Sequence, residues 1–80
     1  MKIETFYTGG GITLAEAELN NGTQYAVVSN EYQSGIAIYN RVEGEEPYMP
    51  EDMVASFSED EMDAETKALY LEMLEALKNG

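Results

Sequence analysis

Eighty residues with 16 carboxylates, four basic side chains and no histidine carry a formal charge of −12, with a pI near 4.1. Without cysteine there is no disulfide framework, thiolate metal site or thiol nucleophile, and without histidine the commonest general base and transition-metal ligand are missing. The acid excess opposes direct contact with nucleic acid or an anionic membrane, since both would repel it.

The length suits one domain, 1–80. Met1-Lys2-Ile3-Glu4 runs straight into alternation with no apolar leader stretch, and no apolar run approaches a membrane span, so the chain reads as cytoplasmic. Residues 2–8 are β-branched and aromatic, which predicts a strand stopped by Gly9-Gly10-Gly11. Residues 12–19 predict a second strand. Ile12 and Leu14 lie on one parity and Ala15, Ala17 and Leu19 on the other, so a bulge near Leu14 is expected, with Glu16 and Glu18 pointing to water. Asn21-Gly22 is the favoured pair for a two-residue type I′ turn, leading into a strand over 23–29. A loop over 30–35 and a strand over 36–42 complete an antiparallel four-strand meander.

The character changes after Val42. Residues 43–57 open with two prolines, a glycine and five carboxylates, predicting an exposed acidic connector. Pro50 can start a short helix over 50–57 with Met53, Val54 and Phe57 on its apolar side. Ser58-Glu59-Asp60-Glu61 has capping-box spacing, and Asp63 offers a second N-cap one turn later. A helix over 58–79 follows, with Thr66, Leu69, Tyr70, Met73, Leu74 and Leu77 on one stripe. A one-sided sheet and a one-sided helix bury each other, giving an α+β fold with the helix lying where Ala15 and Ala17 leave room.

Catalytic patterns are weak. Thr8-Gly9-Gly10-Gly11 lacks the Lys-Ser/Thr of a phosphate loop and leads into a strand, so it reads as a turn. No imidazole activates any hydroxyl, and Glu45/Glu46 and Glu51/Asp52 sit in a solvated stretch that would not raise a carboxyl pKa for acid–base work. An EF-hand frame from Glu61 places Asp63, Glu65 and Glu72 at ligand positions, but Thr66 stands where the loop needs Gly. The expectation is no enzyme, no cofactor and no metal. Tyr7, Tyr25 and Tyr39 read as core edges or cross-strand pairs, while Tyr32 and Tyr48 fall on loops and suit protein contacts.

The uneven charge is the most informative feature. Residues 1–42 are net −2 and residues 43–80 net −10, and within 43–65 there are ten carboxylates and no basic residue. One reading is a solubilising surface. The sharper one is a non-enzymatic protein-binding module that docks on a basic protein surface through Glu45, Glu46, Tyr48, Glu51, Asp52, Glu59, Asp60, Glu61, Asp63 and Glu65. Two alternatives stay open. One is a DNA mimic, with carboxylates from Glu59 to Glu75 in rows on the helix; the other is self-assembly through an edge strand, 2–8 or 36–42.

The run Lys2-Ile3-Glu4-Thr5-Phe6-Tyr7-Thr8-Gly9-Gly10-Gly11-Ile12, with Tyr48-Met49-Pro50-Glu51-Asp52-Met53, resembles small uncharacterised acidic proteins encoded by gut bacteria, often within mobile elements. The resemblance covers under a quarter of the chain. It implies an accessory or anti-defence role and carries over no site residues.

Overall fold

A computed structural model describes residues 2–29 and 35–79. Five strands follow one another: β1 (Ile3–Gly9), β2 (Ile12–Leu19), β3 (Gln24–Ser29), β4 (Gly35–Asn40) and β5 (Met53–Ser58). Among the described residues a single α-helix, α1 (Ala64–Asn79), follows the strands, and short 3₁₀ turns occupy Asn20–Gly22, Pro50–Asp52 and Glu59–Glu61. Each strand pairs antiparallel with the next, so the sheet order is β1-β2-β3-β4-β5 and the architecture is α+β. The expected loop over 30–35, with Tyr32 on it, lies outside the described residues except for Gly35, which begins β4. Among the described residues no helix is long and apolar enough to cross a membrane.

Tight turns join the first three strands. Gly10 and Gly11 take φ of +61° and +83° between Gly9 and Ile12. Asn21 (φ 59°, ψ 31°) and Gly22 (φ 89°) form the mirror-image turn that Asn-Gly favours, and the Thr23 N–H closes it on the Asn20 carbonyl at 3.2 Å.

Where the sequence misleads, a bulge or a second packed face is the cause. The stretch 50–57 is not a helix: Pro50–Asp52 makes one 3₁₀ turn and Met53–Ser58 is a fifth strand inside the expected connector. Ile38 faces Ala55 and Tyr39 faces Met53, so Val54 is an extra, bulged residue that flips the alternation. Across that flip, Met53, Val54 and Phe57 imitate helical spacing. β2, by contrast, is regular, and the bulge expected near Leu14 lies on its neighbour. Tyr7 pairs Thr13 and Gly9 pairs Ile12, which leaves Thr8 as the extra residue. Both parities of β2 are apolar because both faces of the sheet are partly covered. β4 ends at Asn40 and is interior, so the edges are β1 and β5 rather than 36–42.

The helix begins later than its capping box. The Ser58 N–H and hydroxyl both donate to Glu61 Oε1 at 2.9 Å, which holds the 3₁₀ turn rather than α1. Met62 is extended (φ −77°, ψ 137°) and packs on the core, interrupting the helix, and Asp63 is the true N-cap, accepting the Thr66 N–H at 2.8 Å.

One face of the sheet carries Ala15, Ala17, Ala26, Val28 and Ile36, all buried, and α1 sets Tyr70 and Met73 against them. Ala17 pairs Ala26 and Ala15 pairs Val28, so small side chains form the floor under Met73. Leu69, Leu74 and Leu77 complete the contact stripe, while Leu71 points away. Met73 has no exposed surface, so Met73→Ala leaves a cavity in the core. It should lower unfolding free energy by about 2–5 kcal/mol in urea titration with an unchanged slope, whereas Leu71→Ala should stay within about 0.5 kcal/mol.

Candidate functional site: an acidic cleft on the open face

Among the described residues no helix covers the face of the sheet away from α1. Cross-strand register puts Glu4, Glu16, Val27, Ala37 and Ser56 in one row, and Glu18, Tyr25, Tyr39 and Met53 in the next. Tyr25 and Tyr39 stack with ring centres 5.4 Å apart and planes at 15°. The segment between β4 and β5 supplies the cover. It turns at Val42–Glu45, where Gly44 takes φ +80°, and again at Pro47-Tyr48. That second turn sets the Tyr48 ring edge-on to Tyr25 at 5.9 Å and to Tyr39 at 6.1 Å.

Tyr48 is therefore half-buried rather than an exposed loop tyrosine. Its backbone sits at φ +66°, a left-handed conformation that a bulky residue adopts only when its surroundings compensate. Two hydrogen bonds do so. The Tyr48 N–H donates to the Tyr25 hydroxyl at 2.9 Å, and the Tyr48 hydroxyl donates to Glu16 Oε2 at 3.1 Å. Burial, reinforced by the Glu16 charge, pushes the Tyr48 phenol well above its ordinary range.

Glu16, expected in water, instead lies under this arrangement with 14% of its side chain exposed. Arg41 pairs it through Nη2 at 3.2 Å, donates from Nε to the Gly22 carbonyl at 3.1 Å and lies 4.7 Å over the Tyr25 ring. Tyr7 is no core edge: it is 71% exposed, though it pairs Thr13 across the β1–β2 ladder.

Beside Tyr48 opens a cleft of about 480 Å³. Phe6, Val42, Pro47 and Tyr48 give it apolar walls, and Glu16, Glu43, Glu45, Glu46 and Asp52 bring five carboxylates to its lining. Arg41 is the one basic residue in that lining, and it is already committed to Glu16. Glu45 is held above the usual carboxylate range, first by a hydrogen bond shared with Asp52, then by desolvation and by the charges of Asp52 and Glu51. Crowded carboxylates of this kind are stabilised by an incoming cation.

The ten residues expected to act together do not all line this cleft. Glu45, Glu46, Tyr48 and Asp52 meet at the cleft, and Glu51 is exposed on the adjoining 3₁₀ turn. Glu59, Asp60, Glu61 and Asp63 follow the far end of β5, whose length is roughly 17 Å at about 3.3 Å per residue. Glu65 lines a separate depression of about 460 Å³ between the start of α1 and Leu19, Gln24 and Ile38.

Several carboxylates of 59–65 have local structural work. Glu61 is held below its usual range by the Ser58 hydrogen bonds and Asp63 by the Thr66 amide, while Glu59 pairs Lys67 at 3.1 Å. The stabilisation from Glu61 and Asp63 is therefore present above the ordinary carboxylate range and fades as pH falls through their lowered values. Among the described residues no group of three or more acids is placed to hold a metal ion.

Sequence reasoning missed Glu16, Arg41, Phe6, Val42 and Glu43 as cleft residues. Arg41 alone carried a signal, as the cation just ahead of the acidic stretch, with Lys67 just behind it. No protein-family model, curated protein or solved structure matches this chain.

Tyr48→Phe tests the arrangement. Loss of the hydroxyl bond to Glu16 should cost about 1–2 kcal/mol in chemical denaturation at neutral pH. Because the phenol's pKa is raised by folding, its stabilisation is full below about pH 10 and is lost as pH rises above that value. The variant's stability should thus fall less steeply than that of the parent chain on the alkaline side.

Proposed function

We propose that this protein is a non-enzymatic binding module that docks on a basic protein surface, with the open-face cleft as its centre. The observation that carries this reading is the gathering of Glu43, Glu45, Glu46 and Asp52 around the apolar walls of Phe6, Val42, Pro47 and Tyr48. A lysine or arginine side chain suits such a cleft because its aliphatic stem can lie along the walls while its head meets the carboxylates. The net charge of −12 would speed encounter with a basic partner, most strongly at low salt. Glu59, Asp60, Glu61, Asp63 and Glu65 then contribute long-range field rather than contact. The setting of this reading is the cytoplasm, where an accessory or anti-defence role would bring the protein to a host partner.

The test is capture from host lysate with nuclease present, washed at low and high salt, beside titration with a lysine-rich peptide. Glu45→Gln/Glu46→Gln/Asp52→Asn should weaken both by about tenfold or more, since each removes charge at the contact. Glu59→Gln/Asp60→Asn/Glu61→Gln should change affinity only through the overall field. Equal loss from both triple variants would overturn the cleft as the contact. Displacement of the captured partner by duplex DNA would move the reading to nucleic-acid mimicry.

A further inference from the structure

The outer side of β1 presents unpaired backbone in a low-charge setting. The Glu18 N–H donates to the Lys2 carbonyl at 3.2 Å, which makes Lys2–Glu18 a hydrogen-bonded pair of the β1–β2 ladder. Alternation along an antiparallel ladder then gives the same role to Glu4–Glu16 and Phe6–Leu14. Ile3, Thr5 and Tyr7 consequently turn their N–H and C=O groups away from β2, and β1 is a terminal strand of the sheet. α1 packs on the inner face of β1 at Ile3, which is partly buried, but Thr5 is exposed and Tyr7 is 71% exposed, so the margin is open from Thr5 onward.

The two edges differ in charge and shape. β5 is preceded by Glu51 and Asp52, followed by Glu59, Asp60 and Glu61, and bent by the Val54 bulge, all of which oppose copy-on-copy pairing there. β1 holds one acid, Glu4, which lies 3.7 Å from Lys2. It is the edge along which two copies of a −12 chain approach at least electrostatic cost.

We propose that two copies of this chain pair antiparallel through β1, with Thr5 facing Thr5 of the second copy at the two-fold axis. This register sets Ile3 opposite Tyr7 and uses every outward N–H and C=O of Ile3, Thr5 and Tyr7 from both copies. Ile3 against Tyr7 is a β-branched–aromatic pair of the kind that stabilises neighbouring strands. Glu4 opposes Phe6 on the other face, so no like charges meet across the axis. The result is a ten-stranded sheet with both acidic clefts on the same side. The pairing does not depend on what those clefts bind.

Sedimentation equilibrium of the full chain over a wide concentration range, with amide exchange at each concentration, tests this. The expected result is a rise from 8.9 kDa towards twice that mass, with the Ile3, Thr5 and Tyr7 amides gaining protection in step. Added salt should tighten the dimer by screening its charge, opposite to its effect on a basic partner. Thr5→Pro removes only an outward donor, which an edge strand tolerates, and should give a folded monomer. If that variant unfolds, Thr5→Lys serves instead, and two lysines opposed at the axis should weaken dimerisation on the order of tenfold. A strict monomer at millimolar concentration, or a dimer indifferent to Thr5→Lys, would overturn the proposal.

Discussion

A five-stranded sheet with a single helix has one face more than it has helices to bury it, and the position of Tyr25 makes that imbalance acute. The ring stands near the middle of the uncovered face yet is only 3% exposed. Water is kept from it by Tyr39 from the neighbouring strand, by Arg41 above its ring and by Tyr48 from the segment between β4 and β5. The connector therefore acts as a second layer. Its backbone is drawn into a left-handed turn at Tyr48 because the ring, its amide and its hydroxyl all find partners there. The strain of that turn is small beside the aromatic area it removes from water.

The cleft is a consequence of this cover. With Tyr48 seated, residues 43–47 before it stay exposed, and Glu43, Glu45, Glu46 and Asp52 line the cleft beside it. Of the cleft carboxylates Glu16 is the one paired with a base, Arg41, and it also accepts the Tyr48 hydroxyl, so this partly buried carboxylate has a structural role. A contiguous acidic stretch thus divides by role. Glu43, Glu45, Glu46 and Asp52 crowd a concave surface. Glu59 pairs a lysine and Glu61 and Asp63 cap turns, the ordinary use of carboxylates at the start of a helix.

Local signals were legible because each depends on a few adjacent residues. Gly10-Gly11 and Asn21-Gly22 take positive φ where few other residues do, so their turns follow from identity alone. The stripe of Leu69, Tyr70, Met73, Leu74 and Leu77 marks a helix whatever lies opposite, and Ala15 and Ala17 mark where it can approach. The antiparallel meander follows from the shortness of these connections.

What escaped the sequence depends on partners far along the chain. β5 exists because β4 offers it a ladder, and one bulged residue at Val54 hid the alternation of Ala55 and Phe57. The cleft depends on Arg41 meeting Glu16 across 25 residues and Tyr48 meeting it across 32, contacts no short pattern encodes. Composition and periodicity by themselves determined the class of fold, the turns, the face of the helix and the lopsided charge, since these are properties of neighbours in sequence. Only the tertiary structure decided which acids face a cleft and which cap a turn, and that β1 and β5 are the edges. Those depend on which surfaces remain uncovered after one helix has buried one side of the sheet.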